Sequence, residues 1–437
     1  MKNIVRVADG LFFALLACSC MFLANHSLLI AFVPMTIIFL AINIFPSVCN
    51  AKIKSFRNRV CAEGADLLTS FLIAATLTTV FYIAELIVSG ISVLWWISVG
   101  LAVLELAIVF WNGIIRVYCT SVQLGITNRI IGILCGPIPI LHIWALWKII
   151  RITSKEAWFE HDKYILNKQR EIHQICKTKY PLLMVHGVFF RDYKYVNYWG
   201  RIPNELRKNG ATVYFGNHQS ALPVNLSGAE LAQRIQAICK QTGCEKVNII
   251  AHSKGGLDAR YAVSLCGADK YVASVTTIST PNRGCVFVDW LLEKISKPVQ
   301  NGIAAAYNSA LRKLGETPDF ISAVQDLTYE RCAELNIQMP DSDSVFYQSV
   351  GSKLNKAVSG KFPMNMSYHF VKHFSGDNDG LVSTDSFAHG EYKFLTVKGK
   401  RGISHADVVD MNRENIDGFD VREFYVQLVA ELKQKGF

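Results

Sequence analysis

Ser253 is the residue of this chain best placed for covalent chemistry. It lies in VNIIAHSKGG, residues 247–256. A serine hydroxyl becomes a useful nucleophile only when a neighbouring base takes its proton. It must also be held on a sharply exposed turn. The apolar run before Ser253 reads as a buried strand, and Gly255 and Gly256 open a helix, so the serine falls on a strand-to-helix turn of the G-x-S-x-G kind. Ala251 stands where the first glycine is expected, and its side chain is small enough for a tight turn. The start of the following helix favours a developing negative charge. The backbone N–H of Lys254 is one candidate oxyanion donor, its side chain being free to point away. Val188, in the loop Val185–Phe189, offers a second N–H.

A base and an acid follow downstream. Ser375–Val382 (SGDNDGLV) carries Asp377 and Asp379, and Gly402–Asp407 (GISHAD) carries His405. Asp379 would orient His405, and His405 would take the proton from Ser253. Asp377 is the fallback acid. His186 precedes the serine, outside the order serine, acid, histidine, and is read as structural.

These residues need a scaffold, and from residue 180 the pattern alternates strand and helix, the mark of a parallel sheet covered by helices. Strands are expected at 182–185, 211–215, 247–251 and 272–278, and helices at 199–208, 227–242 and 255–264. Ser227 is the expected cap of the second helix, with Glu230 three residues on. A strand is expected before Asp379 as before Ser253.

The set PLLMVHG (181–187), NIIAHSKGG (248–256), ISTPNRG (278–284), AVQDLTYERCAELNIQMPD (323–341), DGLV (379–382) and His405 resembles the bacterial triacylglycerol lipases of the α/β-hydrolase superfamily. The resemblance covers most of 180–437 and almost none of 1–150. It implies an α/β-hydrolase domain with a mostly parallel sheet, a Ser253–Asp379–His405 triad, and Val188 and Lys254 as oxyanion donors. It also implies a lid at 285–315, where Val286, Val288, Trp290 and Leu291 would cover the site. Several such lipases hold a structural calcium near the histidine. Asp407 and Asp410 are available here, but Met411 stands where a polar side chain is expected, so no cofactor or metal is predicted. The expected activity is cleavage of acyl esters of glycerolipids. An acyltransferase using the same residues, or a non-catalytic binding or scaffold protein, are the alternatives.

The first third of the chain is of another kind. Residues 1–147 hold eight Lys/Arg and five acids, against a whole-chain composition of 51% hydrophobic and 18% charged residues. Residues 11–46 read as two helices turning at 24–27, and 67–88 and 91–113 as a second pair broken at Ser89–Gly90. The expectation is four membrane spans, each needing ~20 residues. Residues 130–147, broken by Pro137 and Pro139, fit either a re-entrant segment or a fifth span. Domains are expected at 1–150 (all-α membrane bundle), 151–179 (charged linker helix) and 180–437. Lys52, Lys54, Arg57 and Arg59 place the loop at 47–65 in the cytoplasm. An even number of spans returns the catalytic part to the same side of the cell membrane. The net charge of +10 comes without basic–aromatic interleaving. It fits anionic lipid headgroups rather than nucleic acid. The expected partners are the bilayer and an acyl-ester lipid. Twelve cysteines without disulfide or metal spacing fit a reducing compartment.

Overall fold

The computed structural model describes residues 2–25, 29–45, 48–188, 197–312, 318–362 and 364–437. Outside these lie part of the turn at 24–27, Phe189 of the Val185–Phe189 loop, and residues 313–315 of the expected lid. The chain forms two compact units, Met1–Lys168 and Gln169–Phe437.

The first unit is helical: α1 (Lys2–Asn25), α2 (Leu29–Ile44), α3 (Phe56–Ser89), α4 (Val93–Thr120), α5 (Gly125–Cys135) and α6 (Pro139–Arg170). Among the described residues, three helical stretches, Asn3–Met21, Phe56–Ser89 and Val93–Thr120, are long and apolar enough to cross a membrane. The second of the four expected spans, α2, has 16 residues with Pro34 inside it, short of the ~20 a crossing needs. Gly90, at φ 73°, ends α3 at the expected break, and the Ser92 hydroxyl caps α4 by accepting from the Trp95 N–H.

Residues 130–147 are not one segment. Helix α5 stops at Cys135, and Pro139 is the first residue of α6, a position where its missing N–H costs no hydrogen bond. The charged stretch after 151 is not a linker helix of its own, because it continues α6 to Arg170.

Ion pairs of this unit gather near the start of α3 and the end of α4. Asp66 accepts from Arg6 Nε (2.5 Å) and Asn50 Nδ2 (2.7 Å), and Arg116 Nη1 meets Glu63 at 2.7 Å. Glu156 accepts from the Ser121 hydroxyl and from the Val122 and Gln123 amides.

The second unit is built on one sheet. Its elements are β1 (Leu182–Val185), α7 (Ile202–Lys208), β2 (Val213–Phe215), α8 (Val224–Thr242), β3 (Val247–His252), α9 (Lys254–Leu265) and β4 (Val272–Ile278). Then follow α10 (Val286–Lys294), α11 (Lys297–Arg312), α12 (Phe320–Gln325), α13 (Tyr329–Gln338), β5 (Phe346–Ser352), α14 (Met364–Ser375), β6 (Glu391–Leu395) and α15 (Val421–Gln434). The strand order is β2-β1-β3-β4-β5-β6, and every pairing is parallel.

Strands β1, β3 and β4 are buried along their whole length, as both-faced burial in a parallel sheet requires. Leu182 and Met184 pack with Trp199 and Tyr425 on one face, while Leu183 and Val185 pack with Ile235 and Ala259 on the other. That split is the two-residue period of a strand. Strand order reverses between β1 and β3, so the crevice beyond their carboxyl ends is where such a sheet holds ligands.

Two expectations about this unit are corrected. Helix α8 begins at Val224 after Pro223, so Ser227 lies inside it and is no cap. The Ser227 hydroxyl donates instead to the Gln219 carbonyl, and Glu230 accepts from the Gln219 N–H. The element before Asp379 is helix α14 rather than a strand, since β5 already ends at Ser352.

Candidate active site

Ser253 follows the last residue of β3 and precedes the first of α9, with φ 54° and ψ −133°. Such a backbone is strained for any residue with a Cβ. It is held by a hydrogen bond from the Ser253 N–H to the Ile278 carbonyl (2.9 Å). The glycines around it are steric requirements. A Cβ on Gly255 would sit 2.4 Å from the His186 carbonyl oxygen, and one on Gly187 would sit 2.8 Å from Ser253 Cβ. Ala251 is fully buried against the face of the sheet that α8 and α9 cover, so its small side chain belongs to the core.

Gly187 brings the loop after β1 against the serine. Val188 and Ser253 line the same cavity, and Lys254 starts α9. A helix's first N–H groups have no acceptor within the helix.

Asp379 and His405 meet, and His405 lines the same cavity as Ser253. His405 Nδ1 lies 2.7 Å from Asp379 Oδ2, and the His405 N–H donates to the Asp379 carbonyl (2.9 Å). The other carboxylate oxygen of Asp379 accepts from the Leu381 and Val382 amides, at 3.0 and 2.9 Å. Asp379 is wholly buried, while Asp377 is exposed and bound to Lys353 at 2.6 Å. The structure thus brings Asp379, not Asp377, to His405.

Ser253 and His405 both face a cavity of about 250 Å³, whose wall is otherwise almost entirely apolar. From the expected lid, Val288 and Leu291 contribute to that wall, together with Phe287 and Leu292. Trp290 turns away from it and stacks on Phe370, with ring centroids 5.1 Å apart. Val286 is also absent from the wall. Cys285 closes one side, where burial pushes its thiol up to about 12, leaving it inert as a nucleophile.

Three features were not anticipated. First, the Lys254 side chain does not point away. It is fully buried, with Nζ 2.6 Å from Asp258 Oδ1 and 3.1 Å from the Ser227 hydroxyl. Asp258 Oδ2 in turn meets His218 Nε2 at 3.2 Å, and the His218 ring stacks on His186 at 4.7 Å. A buried ammonium needs such a carboxylate and hydroxyl to replace water. His186 is therefore part of the scaffold under the turn.

Second, His252 and Tyr198 support the back of His405. His252 Nε2 lies 3.1 Å from the His405 carbonyl oxygen, and the Tyr198 hydroxyl 2.5 Å from His252 Nδ1. Burial, then repulsion from His405, holds the His252 imidazole well below its usual pKa, so the ring is neutral. A neutral ring donates from one nitrogen only. The His405 carbonyl can only accept, so Nε2 carries the hydrogen and Nδ1 accepts from Tyr198. His252 stands in the quoted motif beside the serine, whereas nothing in the sequence singled out Tyr198.

Third, the two carboxylates considered for calcium are engaged by arginines. Asp410 receives Arg201 Nε and Nη2, both at 2.8 Å, and the Arg201 N–H at 2.7 Å. Asp407 receives Arg401 Nη2 and the Ser404 N–H, both at 3.1 Å. A guanidinium thus supplies positive charge beside each carboxylate.

A parallel sheet in this order, with a serine on a strained turn after β3 and a histidine–carboxylate pair at its carboxyl edge, has the architecture of the α/β-hydrolase fold. The comparisons with known proteins narrow this further. The chain is 34% identical over 180 residues to a triacylglycerol lipase of Pseudarthrobacter phenanthrenivorans, covering 38% of this chain and 55% of that one. A triacylglycerol lipase of Burkholderia plantarii is 34% identical over 180 residues, 49% of its length. The chain thus spans about half the length of these curated relatives. A triacylglycerol lipase of Pseudomonas fragi is 26% identical over 292 residues, covering 59% of this chain and 98% of that one. Among solved structures, the mature Bacillus licheniformis lipase BlEst2 aligns with a TM-score of 0.44 at 21% identity, over 58% of this chain and 92% of that one. No family model matches the chain. Over these residues the second unit is similar to triacylglycerol lipases.

Proposed function

We propose that the chain is a membrane-anchored serine esterase that cleaves acyl esters of glycerolipids. The observation that carries this reading is an apolar cavity with Ser253 and His405 on its wall and Asp379 bonded to the histidine.

In this reading Ser253 Oγ attacks the ester carbonyl while His405 Nε2 takes its proton. The oxyanion is held by the Val188 and Lys254 amides. His405 then gives the proton to the departing alcohol oxygen, leaving an acyl-serine. A water that loses its proton to His405 attacks the acyl carbonyl and releases the fatty acid, and the proton returns to Ser253. Asp379 keeps the imidazole in the tautomer with hydrogen on Nδ1 and stabilises the imidazolium. The apolar wall suits the acyl chain, because its burial is favourable at about 25 cal/mol per Å². An acyl ester of a lipid is therefore a better fit than a polar ester.

The helical unit would hold the enzyme at its substrate, raising the effective concentration of lipid ester. In this reading α2, although short, completes four spans in the cell membrane with the bilayer thinned around it, and the cluster Lys52, Lys54, Arg57 and Arg59 lies in the cytoplasm with the catalytic unit.

Replacing Ser253 with Ala tests the chemistry. Ester hydrolysis and labelling by a fluorophosphonate probe should both vanish while the chain stays folded, and full retained activity would exclude the assignment. Digestion of spheroplasts and inverted vesicles tests the side, the catalytic unit being expected to resist protease in intact spheroplasts.

A further inference from the structure

The outer face of α14 carries an apolar ridge that packing within the catalytic unit leaves uncovered. Met366, Phe370 and Phe374 follow one another at four-residue spacing on it and are 58%, 42% and 43% exposed, and Phe362, 78% exposed, precedes the helix. On a helix that spacing makes one stripe. The opposite face, with Ser367, Tyr368 and Val371, is buried. Trp290 extends the ridge sideways, stacked on Phe370 at 5.1 Å and 5.9 Å from Phe374. Phe287 lies 6.1 Å from Phe370 and lines the active-site cavity, as does Met364 at the start of α14. The ridge therefore runs to the cavity wall. A contiguous aromatic patch of this kind marks an interaction surface.

The charges around it select the partner. Residues 345–376 contain no Asp or Glu, but four lysines (353, 356, 361 and 372) and two histidines (369 and 373). Lys353 and Lys361 are drawn to Asp377 and Glu414. Lys372 lies over the Tyr368 ring, and neither it nor Lys356 has a carboxylate partner among the described residues.

We propose that this ridge is a membrane-contact surface, which seats the mouth of the cavity on a bilayer containing anionic lipid. Aromatic rings flanked by cations match the boundary between headgroups and acyl chains, and the lysines match anionic headgroups. Two copies of the chain meeting ridge to ridge would bring like charges together. Among the described residues, three helices are long and apolar enough to cross a membrane, so a bilayer is the surface at hand. The inference deepens the esterase reading, on which its catalytic consequence rests, whereas lipid contact itself needs no catalysis.

The full chain in proteoliposomes of phosphatidylcholine, with or without phosphatidylglycerol, tests it in two ways. A photo-reactive p-benzoylphenylalanine at position 366 in place of Met366 should cross-link to phospholipid, and more strongly when phosphatidylglycerol is present. Adducts only to a second copy or to another segment of the chain, or no lipid adduct, would overturn the proposal. In parallel, the variant with Phe370→Glu and Phe374→Glu should hydrolyse a bilayer-resident diacyl ester about tenfold more slowly, from lost apolar burial. Its hydrolysis of a soluble short-chain ester should be unchanged. Equal loss on both esters, or no loss on either, would also overturn it. If the unmodified chain hydrolyses neither ester while the lipid adduct forms, the esterase reading fails and the membrane surface stands.

Discussion

The two units handle charge and grease in opposite ways. In the helical unit the ion pairs Arg6–Asp66, Arg116–Glu63 and Arg57–Glu156 gather near the start of α3 and the end of α4. Large apolar side chains such as Ile83, Ile87, Leu104 and Trp111 are exposed along the same helices. In the catalytic unit the charges Lys254, Asp258 and Asp379 lie fully buried at the carboxyl edge of the sheet, and the apolar residues fill the two faces. An exposed isoleucine on α3 is ordinary for a helix long and apolar enough to cross a membrane. An exposed phenylalanine on α14 belongs to a run of exposed apolar side chains along one helix face, and calls for a partner. Burial has to be judged against the solvent each unit is built for.

The largest expected effects come from breaking the buried catalytic cluster. Asp379→Asn should lower the rate of ester hydrolysis by about 10⁴-fold, because an amide cannot stabilise the imidazolium or hold its tautomer. Asp377→Asn should leave the rate unchanged. Steady-state kinetics of the two variants side by side would decide which carboxylate acts, and the reverse result would reassign the acid.

The next effect compares the two kinds of ion pair. Lys254→Met leaves Asp258 buried without its ammonium and should cost about 3–5 kcal/mol of stability. Arg59→Ala removes a pair with Glu63 that is 4.0 Å long and 41% exposed on the arginine side, and should cost no more than about 0.5 kcal/mol. Denaturation of the detergent-solubilised chain would measure both, and similar losses would contradict the contrast drawn between the units.

A smaller effect is pH-dependent. His252 stays neutral in the folded unit because burial depresses its pKa, whereas in the unfolded chain it takes up a proton below about 6.5. The unfolded state then binds more protons, so this residue's stability is fully present above pH 6.5. It is lost as the pH falls from there toward the depressed folded value, by up to about 1.4 kcal/mol per pH unit. His252→Asn should flatten that slope between pH 7 and 5. A slope unchanged by the substitution would mean that other groups carry it.

The smallest is a gain. Ser253→Gly relieves the backbone strain at φ 54° and should stabilise the unit by about 1 kcal/mol while abolishing hydrolysis. A loss of stability would show that the strain is not stored there.

Much of the catalytic unit was legible in the residues. The runs LLMV, VNIIAH and VASVTTI are strands because their continuous apolar or β-branched side chains are buried on both faces. The spacing of VNIIAHSKGG put the serine on the turn after one of them. Strands β5 and β6 were not read. In β6 the residues Glu391, Tyr392 and Phe394 are exposed, as befits an edge strand with little apolar signal. The Ser227 cap failed because Pro223 lets the helix begin three residues earlier, and the hydroxyl went to the Gln219 carbonyl. The four-span reading met a short α2, because an apolar run alone does not set how many residues stay helical around Pro34.

The order of residues alone implies the division into a helical membrane-like part and a sheet-based part. It also sets the order of serine, carboxylate and histidine, because side-chain periodicity and motif spacing are local properties. Folding selects which carboxylate reaches His405, turns Lys254 inward to Asp258, and brings Arg201 and Arg401 to Asp410 and Asp407. Those choices depend on segments far apart in the chain meeting in a low-dielectric interior, where an unpaired charge is too costly to persist. The same holds at Ser253: its motif was visible in ten residues, but its positive φ is sustained by Gly187, Ile278 and Gly255, which come together only when the sheet forms.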